Sequence, residues 1–270
     1  RMKQKDRPAQ DPIREEDLGR IVFFMGGVRS GTTVFRRMLA SHPRVRDRGE
    51  IFNSNNPQGF FKFFREQVEA NPDMIFPEHH GKIFLNYVAS LVPKDKDGIA
   101  LLDIKYEHLN LVSDAWQLPF TNPPMLRLIK RSRLKVIHLR RQHFYSVLSN
   151  LVAVQTGRYH KPAHDASNLP EKRPVTVERA LVLSSMKKRK RAADVVDQAF
   201  EDAQRLSLDY EGVFDEAGDF QPAVCERLAA FLGVDNRFER QPALKKIIDE
   251  PLSSIITNYE EIRDLETIAL

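Results

Sequence analysis

A chain of 270 residues, 41% hydrophobic and 29% charged, has the make-up of a globular protein with a sizeable core. It contains no apolar run near the ~20 residues needed to cross a bilayer, and its single cysteine, Cys225, excludes an internal disulfide. The 42 Lys plus Arg against 37 Asp plus Glu leave +5, a mild excess that admits anionic ligands without requiring a polyanion.

Residues 1–20 are polar, without the apolar stretch of a secretory leader, and read as a flexible lead-in to one domain over 21–270. A cytoplasmic protein with at most peripheral membrane contact is expected. Ile21–Met25 is an apolar run that reads as a buried strand. Gly26 to Gly31 follows as a glycine-bounded loop, and Thr32 opens a helical pattern carried by Phe35, Met38 and Leu39. Strand, loop and helix start gather backbone N–H groups around one anion. The spacing of Gly26 and Gly31 is that of a P-loop, whose next residues should be Lys and Ser or Thr. Here they are Thr32 and Thr33, and the cation of the loop is Arg29. The loop is therefore expected to hold a phosphate-like group other than that of ATP or GTP with magnesium.

Ser41-His-Pro43 ends the first helix, and Val45–Asn56 runs through Gly49-Glu50-Ile-Phe-Asn53 into a turn. Helical periodicity covers Gly59–Ala70 and Gly81–Val92. The start of the first of these, Gly59–Phe64, reads as core-facing, with an acceptor pocket as the alternative. Leu101–Lys105 reads as a second strand, Leu134–Leu139 as a third, and a helix runs from near His143 to about Gln155. Gly157–Pro174 is a long polar loop of the kind that carries function. His160 and His164 within it lack a carboxylate partner, so no metal is expected. Val177–Gln204 reads as one long helix whose basic run, Lys187–Arg191, is taken as a solvated face. Arg205–Tyr210 is a short strand, Pro222–Leu232 a helix ended by Gly233, and the tail ends in a helix.

Strands alternating with helices imply an α/β fold, a P-loop-like three-layer α/β/α arrangement with a mostly parallel central sheet. Ligands of such sheets lie outside the carboxyl ends of the strands. Those ends carry Gly26–Thr33, Lys105, Arg140 with Arg141, and Tyr210. Arg141 is followed eight residues later by Ser149, two turns into the next helix, which pairs a planar guanidinium fork with a hydroxyl donor.

Arg29-Ser-Gly-Thr-Thr33 and Arg141…Ser149 resemble the two phosphate-binding motifs of sulfotransferases that use 3′-phosphoadenosine 5′-phosphosulfate (PAPS). Leu206–Val213 followed by Arg227–Val234 resembles a third block of that family, with Gly212 in place of its usual Asp. Three further segments, Gly49–Asn53, Ser149–Gly157 and Ile255–Glu261, resemble bacterial carbohydrate sulfotransferases of the nodulation-factor and lipopolysaccharide type. The resemblance implies PAPS as co-substrate, without a metal, and a carbohydrate or glycolipid acceptor rather than nucleic acid. Arg29, Ser30, Gly31, Thr32 and Thr33 would hold the 5′-phosphosulfate, with Arg29 stabilising the leaving oxygen. Arg141, or its neighbour Arg140, and Ser149 would hold the 3′-phosphate. Tyr210 would lie against adenine, and Lys245 and Lys246 would cap the 3′-phosphate. Glu50 would be the general base and Lys105 would reach the sulfuryl group or the acceptor.

Other readings stay open at this level. The first motif also resembles tyrosylprotein sulfotransferases. Glu50 can be a surface carboxylate paired with Arg46 or Arg48. A P-loop kinase needs a lysine after Gly31 and an apolar strand ending in Asp, and Thr32 and Leu139-Arg140 supply neither. A polyanion binder would use the clusters around Arg44–Arg48 and Lys130–Arg141.

Overall fold

The computed structural model describes residues 13–113, 122–157, 174–200, 204–239 and 251–268. The apolar run begins a strand, β1 (Ile21–Gly26), that is buried at every position. It pairs in parallel with β3 (Ile99–Lys105) on one side and β4 (Lys135–Arg140) on the other. β2 (Val45–Glu50) adds outside β3, and β5 (Arg205–Asp209) adds outside β4. The order is β2-β3-β1-β4-β5, and the four strand pairings of this sheet are parallel.

A parallel sheet needs helices on both faces, which is why β1 reads as continuously apolar. Alternate residues of β1 enter two different cores. Ile21, Phe23 and Met25 pack with α4 (Pro77–Ser90) through Phe84, with α5 (Pro124–Arg131) through Ile129, and with Val196 of α7 (Arg179–Ala199). Val22 and Phe24 pack with α2 (Thr32–Leu39) through Phe35 and with α8 (Pro222–Leu232) through Leu228. These are the two outer layers of the three-layer expectation. A third cluster joins α6 (His143–Thr156) and α7 to the tail, where α9 (Leu252–Ile255) and α10 (Tyr259–Ile262) lie. The first element, α1 (Glu15–Leu18), belongs to the lead-in, yet Asp17 is buried and Arg20 donates to the carbonyls of Pro93 and Gly98. No helix among the described residues is long and apolar enough to cross a membrane.

Several elements differ from expectation. β2 was not expected as a strand: Val-Arg-Asp-Arg-Gly-Glu has no apolar alternation because it lies on the sheet edge with little of its surface buried. α4 starts at Pro77 rather than Gly81, since proline suits a first helical turn. α5 went unread, and α7 is shorter than the span 177–204. α3 (Phe60–Ala70) begins as expected, with Phe60 buried, though its neighbour Phe61 is 43% exposed. The Arg44–Arg48 cluster is committed to structure: Arg44 donates to the carbonyls of Asp97 and Gly233, Arg46 to that of Pro43, and Arg48 to that of Leu91.

Candidate functional site

β1 is flanked by strands that continue to opposite edges of the sheet, so a crevice opens where its carboxyl end meets the loop Gly26–Gly31. Two residues of that loop adopt positive φ, Arg29 at 64° and Gly31 at 81°. The Ser30 N–H turns back to the carbonyl of Gly27 at 3.2 Å. Ser30 and Thr32 are buried, and Thr33 is half-buried in the first turn of α2. A tight turn with left-handed residues of this kind is the setting in which successive N–H groups form a nest that binds anions. The first turn of α2 adds donors without intrahelical partners.

Gly31 is fixed by more than its dihedral. A Cβ placed there would stand 2.1 Å from Cε2 of Tyr210. The tyrosine follows β5 and packs its ring on the bare glycine, while the Arg141 guanidinium lies over the same ring, 4.6 Å from its centroid. Gly31→Ala should therefore push Tyr210 out of place and also strain the backbone by about 1–2 kcal/mol. The expected result is a thermal midpoint lower by about 2–4 °C for each 1 kcal/mol lost, read by calorimetry. An unchanged midpoint would show that the contact is incidental.

Motifs more than a hundred residues apart meet at Arg29. Its Nε donates to Ser149 Oγ at 3.3 Å, and Arg141 Nη1 donates to the Arg29 carbonyl at 2.7 Å. Burial, and then the nearby Arg141 charge, lower the Arg29 pKa below its usual value. Arg141 Nε is buried without a hydrogen-bond partner among the described residues. Arg140, the alternative to Arg141, is committed elsewhere. It grips Asp209 with Nε at 3.0 Å and Nη2 at 3.1 Å, and its Nη1 reaches Asp197 at 3.4 Å. A guanidinium held by two carboxylates has little left for a phosphate.

On the other side of the loop, Lys105 ends β3 and is 3% exposed. Its Nζ donates to Asp103 at 2.7 and 2.9 Å and to Thr32 Oγ1 at 2.5 Å, and stands 3.4 Å from Glu50 Oε1. Lys105 is thus anchored within the protein, where sequence alone aimed it at the sulfuryl group or acceptor. Asp103 is fully buried and is also held by Arg36 of α2, at 2.8 Å. Burial works against the Arg36 charge, but Asp103 and Asp47 beside it hold its pKa above the usual value. Glu50 ends β2 with its side chain 28% exposed, and among the described residues it pairs with neither Arg46 nor Arg48.

Sequence reasoning passed over five residues at this site. His108, in the turn after β3, accepts the Lys105 N–H at Nδ1 (3.3 Å) and lies against Phe52. Burial lowers its pKa, which Glu107 and Glu50 only partly oppose. Arg189, from the run read as solvated, is 8% exposed and donates from Nη1 to the Val28 carbonyl at 2.6 Å. Beneath the loop, His138 joins Asp197 at Nδ1 (2.9 Å) and the Tyr106 hydroxyl at Nε2 (2.7 Å). Although burial opposes its charge, the His138 bond and the nearby Arg140 and Arg205 hold Asp197 at about 2. Burial raises the Tyr106 hydroxyl well above the usual phenol range. This chain props Tyr106 under Gly27, where a Cβ would come 3.4 Å from the ring. Lys245, Lys246, His160 and His164 lie outside the described residues.

No protein-family profile matches the chain, and no curated protein does. Among solved structures it is similar to a sulfotransferase from Alicyclobacillus acidocaldarius, at 15% identity, covering 92% of this chain and 96% of that one, with a TM-score of 0.47. It is similar to the sulfotransferase domain from the curacin biosynthetic pathway, at 15% identity, covering 93% and 91%, with a TM-score of 0.46. It is also similar to mouse sulfotransferase SULT7A1 complexed with PAP, at 15% identity, covering 97% and 71%, with a TM-score of 0.44. Likeness at this level assigns no chemistry to this chain, which has to be argued from its own residues.

Proposed function

We propose that the chain transfers the sulfuryl group of PAPS to a hydroxyl of a carbohydrate or glycolipid acceptor. The observation that carries this reading is the junction of Arg29 with Ser149 and Arg141, which sets two guanidinium groups and a hydroxyl against the glycine-bounded loop. The residues fit such a donor. A buried charged N–H left without an acceptor, as at Arg141 Nε, is costly, and the oxygens of a phosphate would satisfy it. The Gly31–Tyr210 contact sets an aromatic ring beside the same cations. In this reading Gly31, Ser30, Thr32 and Thr33 cradle the 5′-phosphosulfate, Arg141 and Ser149 take the 3′-phosphate, and Tyr210 lies against adenine.

The donor supplies a sulfuryl group whose bond to the 5′-phosphate oxygen breaks as the acceptor oxygen bonds to sulfur. Glu50 takes the proton of the acceptor hydroxyl, and Arg29 stabilises the charge left on the phosphate oxygen. Being always protonated, Arg29 acts through charge and hydrogen bonds, not as an acid. Lys105 positions Glu50 instead of touching the sulfuryl group, since its donors already face Thr32, Asp103 and Glu50. With Nδ1 accepting the Lys105 N–H, neutral His108 carries its proton on Nε2 and is a donor, which favours Glu50 as base. The exposed Phe61, joined to His108 through the buried Phe52, supports an acceptor that stacks on aromatic faces, as sugars do.

One observation favours a nucleotide kinase or hydrolase: β3 carries Asp103 after the apolar run Ile99–Leu102, where a magnesium-binding Asp would stand. Its carboxylate, however, is occupied by Lys105 and Arg36. Ser149→Ala tests the proposal. It should weaken adenosine 3′,5′-bisphosphate about tenfold or more, the worth of one hydrogen bond to a charged group, while adenosine 5′-monophosphate binds nearly as before. Equal losses for both ligands would refute the assignment of the 3′-phosphate.

A further inference from the structure

We infer that Arg189 of α7 is a positioning residue of the phosphosulfate loop, acting with Arg141 as a two-arginine clamp on the backbone around Arg29. The inference rests on the loop being the donor cradle proposed above. Arg29 holds φ at 64°, a conformation that L-residues other than Asn and Asp rarely keep. Such a residue persists only where its surroundings over-determine it. Here the two carbonyls that bracket it are both gripped. Val28 C=O, immediately before, accepts from Arg189 Nη1 at 2.6 Å, and the Arg29 C=O accepts from Arg141 Nη1 at 2.7 Å. The arginines come from different elements, one from α7 and one from the end of β4, so they fix the peptide planes from two directions.

The direction of those planes decides what the loop can bind. An anion nest requires N–H groups turned inward and carbonyls turned away. The Ser30 N–H is turned back to the Gly27 carbonyl, and the two guanidinium groups hold the Val28 and Arg29 carbonyls, so the clamp fixes the peptide planes on both sides of Arg29. Arg189 reaches the loop because Gly27 lacks a side chain: a Cβ there would sit 3.2 Å from Arg189 Nη1. Among the described residues no carboxylate forms an ion pair with Arg189 or Arg141, so their charge stays available to the loop and its anion. Burial lowers the Arg189 pKa, with Glu107 only partly opposing, as expected of a cation held inside to serve one contact. Its neighbours on the same helix face, Val182, Met186, Ala193 and Val196, are core residues that fix where the arm starts.

The clamp predicts a selective defect. Arg189→Met, which keeps the length of the apolar stem, should lower affinity for adenosine 5′-monophosphate at least tenfold. Adenosine 3′-monophosphate, which the Arg141–Ser149 side would hold, should bind within about twofold of the parent. Arg189→Lys, still a donor, should recover part of the loss. Hydrogen exchange without ligand gives an independent readout: the Arg29 and Ser30 amides should exchange faster in Arg189→Met while β1 and α8 stay protected. Unchanged exchange at those two amides would overturn the clamp, and so would equal loss of both nucleotides. If the parent protein bound neither nucleotide, the donor reading would fail, and the exchange data would still decide whether Arg189 holds the loop.

Discussion

Arg29→Ala should lower the rate of sulfuryl transfer by ~10² or more at saturating donor and acceptor, as removal of one charge-stabilising donor does elsewhere. Two features make this substitution informative. Alanine at φ 64° carries much the same backbone strain as arginine, so the loop's conformational balance changes little. The backbone contacts that hold the loop, to the carbonyls of Val28 and Arg29, remain available in the variant. What disappears is a half-buried guanidinium and its bond to Ser149. Arg29→Lys should restore part of the rate, since charge returns without the planar fork. Near-normal turnover in Arg29→Ala, with the protein folded, would contradict the role assigned to this residue.

Glu50→Gln should reduce kcat by ~10²–10⁴, the usual worth of a positioned general base, while donor affinity changes by no more than a few-fold. The substitution keeps the size of the side chain and the backbone carbonyl that accepts from Asn56 at 3.1 Å. It removes one partner of Lys105, the long one at 3.4 Å, while Asp103 and Thr32 continue to hold that amine. Lys105 keeps Asp103 as its buried counter-charge, and a thermal melt beside the assay separates loss of rate from unfolding. His108→Gln separates the two candidate bases. If it abolished turnover while Glu50→Gln did not, the histidine would be the base and the donor role argued for its Nε2–H would be wrong.

Much of the site was legible because it is built from local signals. A buried strand, a glycine at each end of a loop and a helix start predict an anion nest wherever they occur together, and Arg29 lies in that loop; the parts proposed for Ser149 and Tyr210 came from the resemblance to the sulfotransferase motifs, not from local signals. Other parts were legible in principle and passed over. Arg189 lies inside a basic run, which hides it. Helical spacing nevertheless puts it on the stripe Val182, Met186, Ala193, Val196, where an apolar residue is expected and a buried cation needs a reason. His138 inside an otherwise apolar strand and Asp103 in β3 are the same kind of signal, polar groups at buried positions that must find partners. β2 gave no signal, because an edge strand with few buried positions lacks the alternation that marks strands. The choice between Arg140 and Arg141 depended on Asp209 and Asp197, partners from β5 and α7 that only the folded sheet brings beside β4.

A calorimetric titration of the purified protein with adenosine 3′,5′-bisphosphate, set beside adenosine 5′-monophosphate and magnesium ATP, tests the donor site most directly. The account predicts that the bisphosphate binds at least tenfold more tightly than either, and without added magnesium. Tighter binding of magnesium ATP, or no preference for the 3′-phosphate, would contradict it.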